Sequence, residues 1–211
     1  MLKQKLDKLS KLSGIIAPLI FVITFTIEGL LRLNYNSFES FISELSIGDR
    51  GWIQITNFML FGFLFFLFSI SVYKEFKRNN YSLTGPILFI ITSVCYFLSG
   101  PFVTDPGTIF SGQKSIHGII HGIFGGVVFT LMPISIWVFR KHFKKHNEYT
   151  PMVRISLIIG LIVTFAVILF TFTTKIPTAH AIFHNWVGLI QRVVLIPFML
   201  WLSYFAYTAN K

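Results

Sequence analysis

Long apolar runs alternate with short polar connections along the whole chain, and six runs are long enough to cross a bilayer. They cover roughly residues 12–31, 52–73, 83–103, 116–139, 153–174 and 186–207. A membrane-spanning helix needs about 20 apolar residues, and none of the runs shows the strict alternation of a membrane β-strand. In hydrocarbon a helix satisfies its own backbone hydrogen bonds, so the pattern predicts an all-α, polytopic integral membrane protein. We expect six transmembrane helices in one bundle, a single domain over 1–211. The first run follows Lys3, Lys5, Lys8 and Lys11, but it is too long for a signal peptide. Gly29-Leu30-Leu31-Arg32 is no small-residue cleavage site either, so the run reads as a retained anchor.

Composition agrees with the pattern. Hydrophobic residues make up 54% of the chain and charged residues 12%, with a mean hydropathy of +0.70. Soluble domains average about 25% charged. Six spans leave no stretch for a soluble catalytic domain, and the lone Cys95 cannot form an internal disulfide. Phosphate-binding loops, nucleophile elbows and dinucleotide fingerprints are absent from the sequence.

The net charge of +10 is unevenly placed. Lys3, Lys5, Lys8, Lys11, Lys74, Lys77, Arg78, Arg140, Lys141, Lys144, Lys145, Arg154 and Lys211 fall on one set of connections. The opposite set holds only Arg32, Arg50, Lys114 and Lys175, thirteen against four. Positive charge marks the cytoplasmic side, which predicts a plasma-membrane protein with both termini in the cytoplasm. The excess can also attract anionic lipid headgroups. Basic residues scattered over short loops do not make a nucleic-acid-binding face.

The outer connections collect the remaining polar residues. Over 37–47, Phe38, Phe41, Ile42 and Leu45 recur at helical spacing, Asn36 and Glu39 suit a capping box, and Gly48 can close the end. This predicts a short interfacial helix lying on the outer leaflet, with Ser40, Ser43 and Glu44 on its other face. Such a helix serves equally as a simple cover over the helix ends.

His117-x-x-x-His121-x-x-x-Gly125 opens the fourth span, and His180-x-x-x-His184-x-x-x-Gly188 leads into the sixth. The shared pattern suggests that spans three–four and five–six are related hairpins. Spacing of four puts each histidine pair on one helical face. The second stripe continues to Arg192, with Gln191 beside it. An arginine at that depth costs about 2.5–3.5 kcal/mol on insertion scales and must face the bundle interior or a wet cavity. Glu28 on the first span lies at comparable depth, so Arg192 is expected to pair with Glu28 or Asp105.

Three readings of the histidines stay open. His117, His121 and Asp105 could hold zinc with an open position for water, as in a membrane hydrolase; yet Gly118 and Ala181 stand where a metalloprotease would place its Glu. Haem between the fourth and sixth spans is a second reading. Hydrogen bonding to loop carbonyls and carboxylates at the wet interface is the third. Gly118, Gly122 and Gly126 form a small-residue row that admits a neighbouring helix, within the bundle or in a homodimer. Pro18, Pro133 and Pro197 lie inside spans and should kink them.

Several landmarks together resemble a family of bacterial six-span proteins known as domain-of-unknown-function family 998. They are Ile42-Ser43-Glu44-Leu45-Ser46 followed by Gly51-Trp52, Phe102-Val103-Thr104-Asp105-Pro106, the histidine at the head of span four, and Gly188-Leu189-Ile190-Gln191-Arg192. The pattern is also distantly similar to the eukaryotic FRAG/DRAM/Sfk-like six-span proteins, which have a Ser and an acidic residue in the first outer loop. The resemblance implies a six-helix fold with an unassigned activity, and the distant relatives imply lipid organisation or partner scaffolding. It supplies no catalytic residues, and His180 and His184 have no match in the family pattern.

The expected functional surface is a polar pocket opening to the outer leaflet, lined by Ser43, Glu44, Asp105, His117, His121, His184, Gln191 and Arg192. Its leading reading is non-enzymatic: membrane lipid or a small amphiphile binds there, with Arg192 on an anionic group. A zinc-dependent hydrolase and a small dimeric transporter are the alternatives.

Overall fold

The computed structural model describes residues 2–107 and 114–209, with side chains from Leu9 onward. Lys3, Lys5, Lys8 and Lys211, which contribute to the charge asymmetry, lie outside the described side chains. Each apolar run becomes a helix: α1 (Leu2–Leu31), α2 (Gly51–Arg78), α3 (Thr84–Leu98), α4 (Ile116–Phe143), α5 (Thr150–Lys175), and the pair α6 (Pro177–Phe183) and α7 (Val187–Thr208). Pro18, Pro133 and Pro197 lie inside α1, α4 and α7.

Five segments are long and apolar enough to cross a bilayer: Leu9–Leu31, Gly51–Arg78, Ile116–Phe143, Asn147–Lys175 and Pro177–Thr208. The third run differs from expectation. Its helix stops at Leu98 rather than Val103, because the Ser99 hydroxyl turns back to the Cys95 carbonyl at 2.8 Å and Gly100-Pro101 follows. Proline lacks the N–H that a helix needs and disfavours helix in the residue before it. At 1.5 Å per residue α3 is about 22 Å long, short of the roughly 30 Å hydrocarbon core.

Consecutive helices pack side by side, α1 on α2, α2 on α3, α3 on α4 and α4 on α5. Contacts of α7 with both α5 and α1 close the ring. Aromatic side chains fill its centre. Phe21, Phe61, Phe65, Phe68, Phe89, Phe139, Trp201 and Phe205 are fully buried, and Phe89 lies 4.5 Å from Phe139 and 5.1 Å from Phe65, ring centre to ring centre. The outward faces carry exposed Ile23, Phe63, Ile91, Ile123, Phe165 and Leu200. A belt of that kind would be a liability in water and is the ordinary surface of a chain solvated by lipid. This is a multi-pass, all-helical membrane protein.

The two ends of the ring differ. One carries the short α2–α3 and α4–α5 turns with Lys77, Arg78, Lys141 and Lys145, and is called the basic end below. The other carries the connections over 32–50 and 176–186 together with residues 99–107 and 114–115, and is called the loop end.

The first loop departs from the expected helix over 37–47. Only Ile42–Ser46 is helical, as a 3-10 turn. Asn36 and Glu39 do bond, at 2.8 Å, but the Asn36 carboxamide oxygen also accepts the Phe38 N–H at 3.0 Å, closing a tight local turn instead of opening a helix. Ile42 and Leu45 are 1% and 0% exposed, so the segment is drawn into the bundle and does not rest flat on a leaflet. Gly48, with φ +79°, ends it in the left-handed region that glycine tolerates.

Candidate functional site

A strap formed by residues 35–46 is fastened to the first two turns of α7. Arg192 Nη1 donates to the carbonyls of Ser37 (2.6 Å), Ser40 (3.1 Å) and Gly188 (2.9 Å), and Nη2 donates to the Tyr35 hydroxyl at 2.6 Å. The guanidinium also lies 5.7 Å from the Tyr35 ring centre, within cation–π range. Gln191 Oε1 accepts the Ile42 N–H at 2.7 Å, and Leu189 N–H donates to the Phe38 carbonyl at 3.0 Å. Gly188 is required by this approach: a Cβ there would sit 2.4 Å from the Ser40 carbonyl oxygen. Glu44 braces the strap from within by accepting the Phe41 N–H at 3.0 Å.

The expected partner of Arg192 is a correction. Glu28, 4% exposed, pairs with Arg50 through two hydrogen bonds of 2.5 and 3.2 Å, and Arg32 lies 3.9 Å away. Glu28 therefore ties the end of α1 to the start of α2. Arg192 is satisfied by backbone carbonyls, because a loop with no regular structure of its own brings unpaired acceptors to its guanidinium. Burial raises the Glu44 carboxyl above the usual carboxylate range, against the opposing pull of its Phe41 N–H bond and of Arg192. Burial likewise raises the Tyr35 phenol despite its Arg192 contact.

Beneath the strap lies a small cleft of about 40 Å³, lined on its polar side by Ser43, Tyr96, Ser99, His121 and Gln191. Ile42, Phe58, Gly125, Val128, Phe129 and Leu195 line the rest. His121 Nδ1 meets the carbonyls of Phe102 at 2.7 Å and Ser99 at 3.2 Å. Carbonyl oxygens only accept, so Nδ1 carries the proton and Nε2 is left as an acceptor. The Gln191 oxygen is engaged by Ile42, which leaves its amide N–H groups to the cleft. Tyr96 is 3% exposed, and its hydroxyl has no partner among the described residues. A buried hydroxyl left unbonded costs about 1–3 kcal/mol, so an occupant supplying that bond would be favoured. Next to Gly125, the Gly122 and Gly126 positions are open, with nothing within 4 Å of where a Cβ would stand.

Of the eight expected pocket residues, Ser43, His121 and Gln191 line this cleft, while Glu44 and Arg192 hold its roof. Asp105 belongs elsewhere. Its carboxylate accepts the Ser115 hydroxyl at 2.6 Å and the Ser115 N–H at 3.0 Å, while Ser115 Oγ accepts the Gly118 N–H at 3.0 Å. Asp105 thus places negative charge at the N-terminus of α4, where the helix dipole favours it. Gly118 makes room for it, since a Cβ would fall within 2.4 Å of the Asp105 carboxyl carbon. His117 is exposed against the Phe102 ring, and His184 is exposed with Nδ1 3.1 Å from the Ala181 carbonyl.

The expected zinc set of His117, His121 and Asp105 does not converge, and no three potential ligands come together among the described residues. One imidazole is committed to carbonyls and the carboxylate to a helix cap. Nor do the two histidine motifs share a local structure. His117 and His121 ride on the continuous α4, whereas a 3-10 turn over His184–Trp186 interrupts the second motif. Tyr35, Tyr96 and Ser99 were not anticipated from the sequence, and Gly125 stood there only as the end of the first histidine motif. Tyr96 carries the one weak signal, a hydroxyl inside an otherwise apolar run.

Residues 15–208 match the family described as "Protein of unknown function (DUF998)". The chain belongs to the DUF998 family. No curated protein and no solved structure matches it. In this DUF998 member, Ile42-Ser43-Glu44-Leu45-Ser46 meets Gly188-Leu189-Ile190-Gln191-Arg192 through the Ile42–Gln191 bond, while Leu189 and Arg192 hold Ser37, Phe38 and Ser40 just before it. Thr104-Asp105-Pro106 supplies the cap of α4.

Proposed function

We propose that the cleft under the strap receives the small, uncharged polar head of an amphiphile, and that the protein binds this molecule without transforming it. The observation that carries the reading is the unpartnered hydroxyl of Tyr96, buried beside a small space that Tyr96 lines together with Ser43, His121 and Gln191. These groups offer both donors and acceptors and no net charge, which suits a hydroxyl, ester or amide better than a phosphate. The volume suits the tip of a molecule: a water needs about 10–15 Å³ on this measure, and whole drug-sized ligands need hundreds. Gly122, Gly125 and Gly126 give an acyl or isoprenoid tail a place to lie along α4. On this reading Arg192 shapes the site by holding its roof and makes no contact with an anionic group. With the basic end toward the cytoplasm of a plasma membrane, the cleft opens toward the outer leaflet.

Lipid analysis of protein extracted in native-membrane nanodiscs tests the proposal. Wild-type protein should carry an enriched lipid-soluble compound, and Gly125→Leu, which fills the cleft mouth, should lose it while keeping its helical content. No enrichment, or equal enrichment in both proteins, would contradict it.

A further inference from the structure

A second cleft opens at the basic end, between the α2–α3 turn and the last turns of α4. Its volume is about 500 Å³, inside the roughly 300–1,000 Å³ range of small-molecule sites. Lys141, His142, Lys145 and His146 line one wall, Tyr81, Ser82 and Thr84 another, and among the described residues no carboxylate lines it. The His142 and His146 rings stack at 4.2 Å, and Tyr81 lies 4.7 and 4.4 Å from them. His142 Nε2 is buried with no partner among the described residues. Ser82 and Thr84 hydroxyls lie 3.2 Å apart at the start of α3. The flanking Glu75 is engaged by Arg78 at 2.6 Å and so does not neutralise the lysines.

Five nitrogen-bearing side chains, Asn80 among them, and three hydroxyl-bearing ones around a volume this large outnumber what a single carboxylate can accept. A phosphoryl group, with three or more acceptor oxygens and a full charge, uses such a donor set. Phe76, Val138 and Phe139 give the cleft an apolar floor that suits the carbon skeleton attached to the phosphate. We propose that this basic-end cleft binds an anionic phosphate ester, its phosphoryl oxygens held by Lys141, Lys145 and the stacked imidazoles. The chemistry is shared by the headgroup of an anionic phospholipid and by a soluble phosphate ester.

Histidine-ring NMR of the detergent-solubilised full chain tests the assignment. The probes are inorganic phosphate, glycerol 3-phosphate, short-chain phosphatidylglycerol, and short-chain phosphatidylcholine as the zwitterionic comparison. A saturable shift of the His142 and His146 signals with either soluble phosphate assigns a free ester; a shift with phosphatidylglycerol alone assigns a lipid headgroup. Lys141→Gln/Lys145→Gln should weaken that binding by about tenfold or more, and Lys144→Gln, one neighbouring cation off the cleft, by less than about twofold. Should the double variant not fold, added salt must weaken binding to the wild-type protein. The proposal is overturned by no saturable shift with any anionic probe, by phosphatidylcholine binding as tightly as phosphatidylglycerol, by equal weakening in Lys144→Gln, or by salt-independent binding.

Discussion

The carboxamide oxygen of Gln191 accepts the backbone N–H of Ile42 at 2.7 Å, a bond between residues 149 positions apart. It joins the first loop to the last long helix and fixes the 3-10 turn that roofs the loop-end cleft. Both partners are buried, so the bond is not exchanged freely with water.

Replacing Gln191 with Leu leaves the Ile42 N–H buried and unpaired, a cost of about 1–3 kcal/mol. Hydrogen exchange should show faster exchange over residues 35–46 with little change in α2 or α3. Uniform acceleration across the bundle would mean that Gln191 stabilises the fold as a whole.

Arg192 serves four acceptors on two nitrogens. A lysine ammonium has three donors on one atom and cannot span that arrangement. Arg192→Lys should therefore behave like Arg192→Ala, with the strap open to limited proteolysis in both. Protection retained in Arg192→Lys would reduce the contact to simple charge.

Glu44 makes the strap pH-sensitive. Its folded carboxyl titrates above the ordinary value of 4.5, so the folded protein holds that proton more tightly than the unfolded chain. The contribution is full below the ordinary value and is lost as pH rises through the folded one. Thermal midpoints should fall with rising pH across that window, and less steeply in Glu44→Gln. An unchanged slope in the variant would assign the dependence to other groups.

Gly118 and Gly122 stand one turn apart on α4 but should respond oppositely to alanine. At Gly118 the new methyl meets the Asp105 carboxylate and disrupts the α4 cap, for a loss of about 1–3 kcal/mol. At Gly122 it meets nothing, and the gain in helix propensity is up to about 1 kcal/mol. Thermal unfolding in detergent distinguishes them, and equal effects would contradict the geometry.

Most of the architecture was legible because apolar runs of spanning length have one economical solution in lipid. The α3 terminus was missed because hydropathy continues through Phe102-Val103 while Gly100-Pro101 ends the helix. In the first loop the 3.6-residue spacing of Phe38, Phe41, Ile42 and Leu45 is real, but contacts from Gln191 and Arg192, far away in sequence, outweigh it. The same distance hid the partner of Arg192. Depth along a span identifies groups at one level and not which of them meet; Arg50, counted as a loop charge, reaches Glu28 first. Tyr96 reads as core in any periodic analysis, and its hydroxyl gains meaning only from the cleft beside it.

A density map of the protein in native lipid, resolved well enough to see side chains, tests the account most directly. The strap should lie docked on Gln191 and Arg192, above elongated density whose polar end is within hydrogen-bonding distance of the Tyr96 hydroxyl. A cleft collapsed onto Phe58 and Leu195, with Tyr96 bonded to the protein itself, would contradict it.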